Sequence, residues 1–218
     1  MIKIINPSRL ARQEFFQDLL AYLQEHPGVI LRQIKRDFPQ VAKLDKSLDA
    51  YIAAGYIRRE DKRYFLSLPL AENADQVVFD EETFLEEDSS LVEELASPTY
   101  ETVLTSGTNG ATLRELTDFS RDRLTLDNYF TRLRRGYPLT EEQARLYAIL
   151  GDVNQEYALK YMTTFLLKYL RKDQLLQKRK DIFVDALLCL DYVRQNQEGK
   201  YELNMELDPE RLVFTAKN

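Results

Sequence analysis

The 218-residue chain has one cysteine, one histidine, seven glycines and seven prolines. A lone Cys189 excludes an internal disulfide, and with His26 as the only histidine there is no ligand set for a zinc site. Neither GxxxxGK[ST] nor GxGxxG occurs, and SGTNGA at 106–111 reads as a turn rather than a phosphate cradle. Long apolar runs are missing too. FVDALLCLDYV is typical, broken by Asp, so no segment spans a bilayer. The opening MIKIINPSRLARQEFF lacks the apolar stretch and cleavage site of a secretion signal. Carboxylates are plentiful, but no spacing singles out a pair for acid–base work. His26, in YLQEHPG, suits the negative end of a helix dipole, and Cys189, in LLCLDY, suits a small apolar packing role. These absences lead to the expectation of a cytoplasmic, non-enzymatic protein without metal or cofactor and with no membrane partner.

What is present is ordinary in amount and uneven in placement. Apolar residues make up 44% and charged ones 30%, enough to bury a core in one large or two small domains. The net charge of −6 is concentrated. Residues 1–70 carry 12 Lys and Arg against 8 Asp and Glu, and residues 102–218 carry 18 against 17. Residues 71–101 carry 11 acids and no base. The expected organisation is a first domain at 1–70, an acidic connector at 71–98 and a second domain at 99–218. The connector's apolar residues (Val77, Val78, Phe79, Phe84, Leu85, Leu91, Val92 and Leu95) are too many for a pure spacer. They fit completion of the flanking cores, docking on a basic face in competition with DNA, or partner binding.

From Ser8, a candidate cap, Leu10, Phe16, Leu19, Leu20 and Leu23 recur at helical spacing until Pro27-Gly28. ILRQIKRDF predicts a second, short helix stopped by Pro39, and VAKLDKSLDAYIAA a third, with Leu44, Leu48 and Ile52 four residues apart. Gly55 follows where a left-handed residue is expected. Then AGYIRREDKRYFLS places Tyr56-Ile57 and Tyr64-Phe65-Leu66 around a charged tip, the pattern of a hairpin. PGVILRQIKRDF at 27–38 is echoed by NGATLRELTDF at 109–119, and Gly55-Tyr56 by Gly136-Tyr137, before Thr140 and Gln143 form a capping box. LDYVRQNQEGKYELN at 190–204 echoes the hairpin itself. The expected fold is mainly α with small β hairpins, built from tandem helix-turn-helix-like units.

On these residues, 10–68 resemble the winged helix-turn-helix family, particularly through LDAYIAAGYIRREDKRYFLS. RLRRGYPLTEEQARLYAILG resembles the end of a phage-repressor-type helix-turn-helix. On MIKIINPSRL, AGYIRREDKRYFLSLPL and GDVNQEYALKYMTTFLLKYL, the chain over nearly its full length also looks like a family of uncharacterised Gram-positive bacterial proteins classed as a domain of unknown function, which implies no activity. The winged-helix resemblance implies a third helix in the major groove and a hairpin along the phosphates.

Three basic clusters fit that chemistry. One joins Lys43, Lys46 and Ser47 on the third helix to Arg58, Arg59, Lys62 and Arg63 on the hairpin, with Asp45, Asp49, Glu60 and Asp61 against it. The second places Arg121, Arg123, Arg132, Arg134 and Arg135 around Tyr129, and arginine suits bidentate contacts to phosphate or guanine. Its alternative is pairing with the acidic connector of the same protein. The third, Lys168, Arg171, Lys172, Lys178, Arg179 and Lys180, reads first as a solvated helix end. The expected function is non-enzymatic binding of duplex DNA, in transcription or replication. The alternative is a protein-interaction scaffold that uses winged helices for packing. No heptad repeat identifies an oligomer.

Overall fold

A computed structural model describes residues 1–217, which divide into two units, the first spanning 1–96 and the second beginning at Ser97. The first unit runs β1 (Ile2–Ile5), α1 (Glu14–Glu25), β2 (Val29–Ile30), α2 (Leu31–Asp37), α3 (Leu44–Ala53), β3 (Ile57–Glu60), β4 (Arg63–Leu66), β5 (Thr83–Glu86) and α4 (Ser90–Leu95). The apolar stripe of α1 puts Phe16, Leu19 and Leu23 against Ile34 of α2 and Leu48 and Tyr51 of α3. Ser8 does not cap α1, which begins six residues later. Its hydroxyl instead accepts the amide of Ala11, closing a short turn ahead of the helix.

The hairpin of β3 and β4 is antiparallel, with Glu60 opposite Arg63 across a two-residue turn at Asp61-Lys62. Both turn residues have positive φ (48° and 65°), as a type I′ hairpin turn requires. β2 pairs with β4 on its other edge, giving the order β2-β4-β3. β5 lies in the acidic stretch and pairs antiparallel with β1, Ile2 opposite Glu86 and Ile5 opposite Thr83. Phe84 is 2% exposed in the core of this unit, Leu85, Leu91 and Leu95 are also buried, and Val78 is exposed.

The second unit runs β6 (Tyr100–Thr105), β7 (Thr112–Thr117), α5 (Leu126–Arg135), α6 (Glu141–Leu150), α7 (Gln155–Leu166) with a 3₁₀ turn (Leu167–Leu170), β8 (Gln174–Leu175), α8 (Ile182–Cys189), β9 (Val193–Gln195), β10 (Tyr201–Leu203), β11 (Met205–Asp208) and β12 (Val213–Ala216). Its four-stranded sheet has the order β11-β12-β7-β6, with β12 and β7 parallel and the other pairs antiparallel. A second, three-stranded sheet has the order β8-β10-β9.

With four sheets among the described residues, the fold is mixed α/β, and the expectation of a mainly α chain of tandem helix-turn-helix-like units is corrected. The clearest error is the echo at 109–119. Leu113 and Leu116 stand three apart, which suits a helix, but Leu113, Glu115 and Thr117 alternate into the interior as a strand does. Thr102, Val103, Thr105, Thr112 and Thr117 supply the β-branched side chains that favour this state. The capping box does form: Thr140 accepts the amide of Gln143, and Gln143 accepts that of Thr140.

The echo at 190–204 forms the hairpin of β9 and β10. Its entry repeats that of the first hairpin bond for bond. Gly55 (φ 77°) and Asp191 (φ 57°) both leave a helix in the left-handed region, donating to Ile52 O and Leu188 O at 3.0 Å. Tyr56 and Tyr192 then donate to Tyr51 O and Leu187 O at 2.9 Å. Their carbonyls accept from Ser67 and Asn204 on the returning chain at 3.0 and 2.9 Å.

Among the described residues, no helix is long and apolar enough to cross a membrane. Because Phe84 fills the core of the first unit, Phe84→Ala is expected to destabilise that unit by about 3–5 kcal/mol, read by urea unfolding. Val78→Ala, at an exposed position, is expected to change stability by less than about 0.5 kcal/mol. Equal small effects from both would make 71–96 a spacer.

Candidate nucleic-acid interface

Unpaired charge decides which basic cluster is available to an outside anion. On the first unit, Lys43 takes a left-handed conformation (φ 61°) immediately before α3, and Lys46 is exposed one residue short of half-buried Ser47. Across the sheet, Arg58 and Arg59 lie on β3, Lys62 at the turn and Arg63 on β4. The acids interleaved with them are partly neutralised at home. Asp45 pairs with Lys35 of α2 at 2.7 Å, and Glu60 pairs with Arg58. Lys43, Lys46, Arg59 and Lys62 are exposed and have no ion pair among the described residues, against Asp49 and Asp61 on the same elements.

Two of the hairpin arginines lie over aromatic rings. The guanidinium of Arg58 stands 4.7 Å from the ring centre of Phe65, and that of Arg59 stands 5.6 Å from Tyr64. Arg63 donates to Gly28 O at 2.8 Å and anchors β4 to the end of α1's connecting loop. The charged edge is therefore pre-ordered rather than loose.

The arginine-rich stretch of the second unit has a different fate. Arg121 is 5% exposed and Arg132 is 8% exposed. Arg121 pairs with Asp127 at 2.5 Å and donates to Asn128 at 3.2 Å. Arg132 pairs with Asp122 and donates to the carbonyls of Arg121 (3.0 Å), Ser120 (3.1 Å) and Pro138 (2.5 Å). Gln143 of α6 donates to the same carbonyl of Arg121 at 3.0 Å and to that of Arg123 at 3.1 Å. This polar knot ties the 118–125 loop to α5 and α6, and an arginine buried with its donors satisfied is a structural part. Arg123 is half-buried. Arg134 is exposed and donates to Gln155 and Thr131, and Arg135 stands 5.9 Å from the ring centre of Tyr137. The five arginines therefore do not form one outward-facing patch, although charge count alone ranks them above the first cluster. The interleaved Asp122 and Asp127 were the available sign of internal pairing.

Sequence reasoning passed over two acids that complete these units. Glu82, in the acidic stretch, accepts the hydroxyl of Tyr56 and the amide of Ser8. Glu115, on β7, accepts the hydroxyl of Tyr192 and the amides of Leu126 (2.9 Å) and Asp127 (3.0 Å), at the first turn of α5. Glu115 is fully buried. Burial pushes its carboxyl up to about 7, with the amides of Asp127 and Leu126 pulling the other way.

Residues 2–98 match the sequence profile of a family described as "Domain of unknown function (DUF1803)". The match spans the first unit and ends two residues into the second, so the likeness seen in GDVNQEYALKYMTTFLLKYL lies outside it. No curated protein and no solved structure matches the chain.

A folded-state value of about 7, above the ordinary 4.5, makes ionisation of Glu115 unfavourable to the native state. Its contribution is complete below about pH 4.5 and is lost as the pH rises through 7, amounting to up to about 3 kcal/mol. A carbon-detected NMR titration is expected to place the Glu115 carboxyl midpoint near 7. A midpoint at or below 4.5 would mean that the helix amides outweigh burial.

Proposed function

We propose that the first unit is a winged helix-turn-helix module that binds duplex nucleic acid without catalysis, with α3 directed to the major groove and the β3–β4 hairpin along the phosphates. The observation carrying this reading is the hairpin directly after α3, pre-ordered by its arginine–aromatic contacts, with Arg59 and Lys62 left without ion pairs. The helix order, the sheet order β2-β4-β3 and the two unpaired lysines at the start of α3 support it. Lysines and arginines near phosphates position a protein and release counterions, so the affinity is expected to fall steeply with salt. A cytoplasmic role in transcription or replication follows from the same reading.

A second reading, a protein-interaction scaffold, rests on the second unit. There the equivalent helix, α8, buries Phe183, Val184, Ala186 and Leu187, and its hairpin has Arg194 paired with Asp191 and Lys200 with Glu198. That copy is built to pack. Asp49 and Asp61 on the first unit favour the same use.

Fluorescence anisotropy with a labelled generic duplex separates the two. The first reading predicts binding that weakens by about tenfold or more between about 50 and 200 mM salt. Arg59→Glu with Lys62→Glu is expected to weaken it by about tenfold and to reduce the salt slope. Arg134→Glu with Arg135→Glu is expected to leave it within about twofold. Absence of binding at low salt, or loss only in the second pair of variants, would reject the reading and favour the scaffold.

A further inference from the structure

A groove of about 470 Å³ opens on the second unit where the 3₁₀ turn after α7 meets β8 and the β11–β12 turn. We propose that it binds a small anionic amphiphile, an aliphatic chain ending in a carboxylate or a phosphomonoester. The site is independent of the duplex reading, which concerns the first unit.

Its walls are predominantly aliphatic. Leu167, Leu175 and Leu212 line them, and Leu170, 39% exposed, stands at the opening. Leu212 is held at φ 56°, a left-handed conformation that leucine rarely adopts, while its carbonyl accepts the amide of Thr112 at 2.9 Å. Apolar surface kept open to water is unfavourable by about 25 cal/mol per Å², which an aliphatic chain lying in the groove recovers. The volume falls within the usual range for small-molecule sites, about 300–1,000 Å³.

The remaining lining residues set the sign of the ligand. Lys168, Arg171 and Lys172 are exposed along the groove, and none has an ion pair among the described residues. Lys168 Nζ stands 4.9 Å from the ring centre of Phe165, a contact with a ring rather than with a carboxylate. Cations are favoured at a helix C-terminus on dipole grounds alone, but the dipole does not account for an apolar cavity between them. Leucines in place of aromatic side chains also make the groove a poor stacking platform for nucleic-acid bases. Aliphatic walls with an unpaired cationic rim match a ligand that is apolar along its length and anionic at one end.

Isothermal titration calorimetry on the full chain tests the proposal, using decanoate, decyl phosphate, decanol and decyltrimethylammonium below their micelle concentrations. Saturable binding of decanoate or decyl phosphate at one per chain is expected, with the cation weaker by about tenfold or more. The tighter of the two anions assigns the head group. Lys168→Glu with Arg171→Glu is expected to weaken the anions by about tenfold and decanol by less than about threefold. Thr164→Trp, at an exposed position on the groove wall, is expected to remove all binding while circular dichroism stays that of the parent. Absence of saturable anion binding, equal affinity for the cation, or anion binding unchanged in both variants would overturn the proposal. The first two results need only the unaltered protein.

Discussion

Each unit turns on a tyrosine placed one residue after a left-handed helix exit. Tyr56 and Tyr192 donate an amide to the helix they leave and offer a carbonyl to the strand that returns, so helix and hairpin are locked by one residue. Their rings are buried, and each hydroxyl is accepted by an acid from a distant part of its unit, Glu82 for Tyr56 and Glu115 for Tyr192. A buried phenol without a partner is costly, so the acid is part of the fold rather than an addition to it. In the first unit this draws the acidic stretch onto the module, where β5 pairs with β1 and Phe84 enters the core. In the second it ties β7 to the start of α5.

The two copies of the turn differ in what surrounds them. The first presents cations on α3 and on the hairpin with much of its acid already paired, and Arg58 and Arg59 lie on aromatic rings that limit their freedom. An ordered charge has less entropy to lose when it meets phosphate. The second copy has an apolar helix and a hairpin whose Arg194 and Lys200 are paired with neighbouring acids. The unpaired cations Lys168, Arg171 and Lys172 lie instead beside an aliphatic groove.

Much of the first unit was legible in the sequence because its signals are local. Helical spacing in α1 and α3, Pro27-Gly28, Gly55 and the charged tip at Asp61-Lys62 each act within a few residues. The four-stranded sheet was not legible. Its parallel β12–β7 pair joins segments a hundred residues apart, and Leu113 and Leu116 fit a helix as well as a strand by spacing alone. The arginine cluster misled for a related reason. Sequence counts charge without its surroundings, whereas burial of Arg121 and Arg132 depends on a loop folded back by Asp122, Asp127 and Gln143. The acidic stretch hid its role in the same way, since Glu82 and Phe84 matter through partners far away in the chain.

The proposed duplex interface is formed by α3 and the first hairpin. Amide chemical-shift mapping of the labelled full chain against a short duplex at low salt tests it most directly. Shifts concentrated at 43–47 and 58–63 are expected. Shifts concentrated at 121–135, or no shifts at saturating duplex, would contradict it.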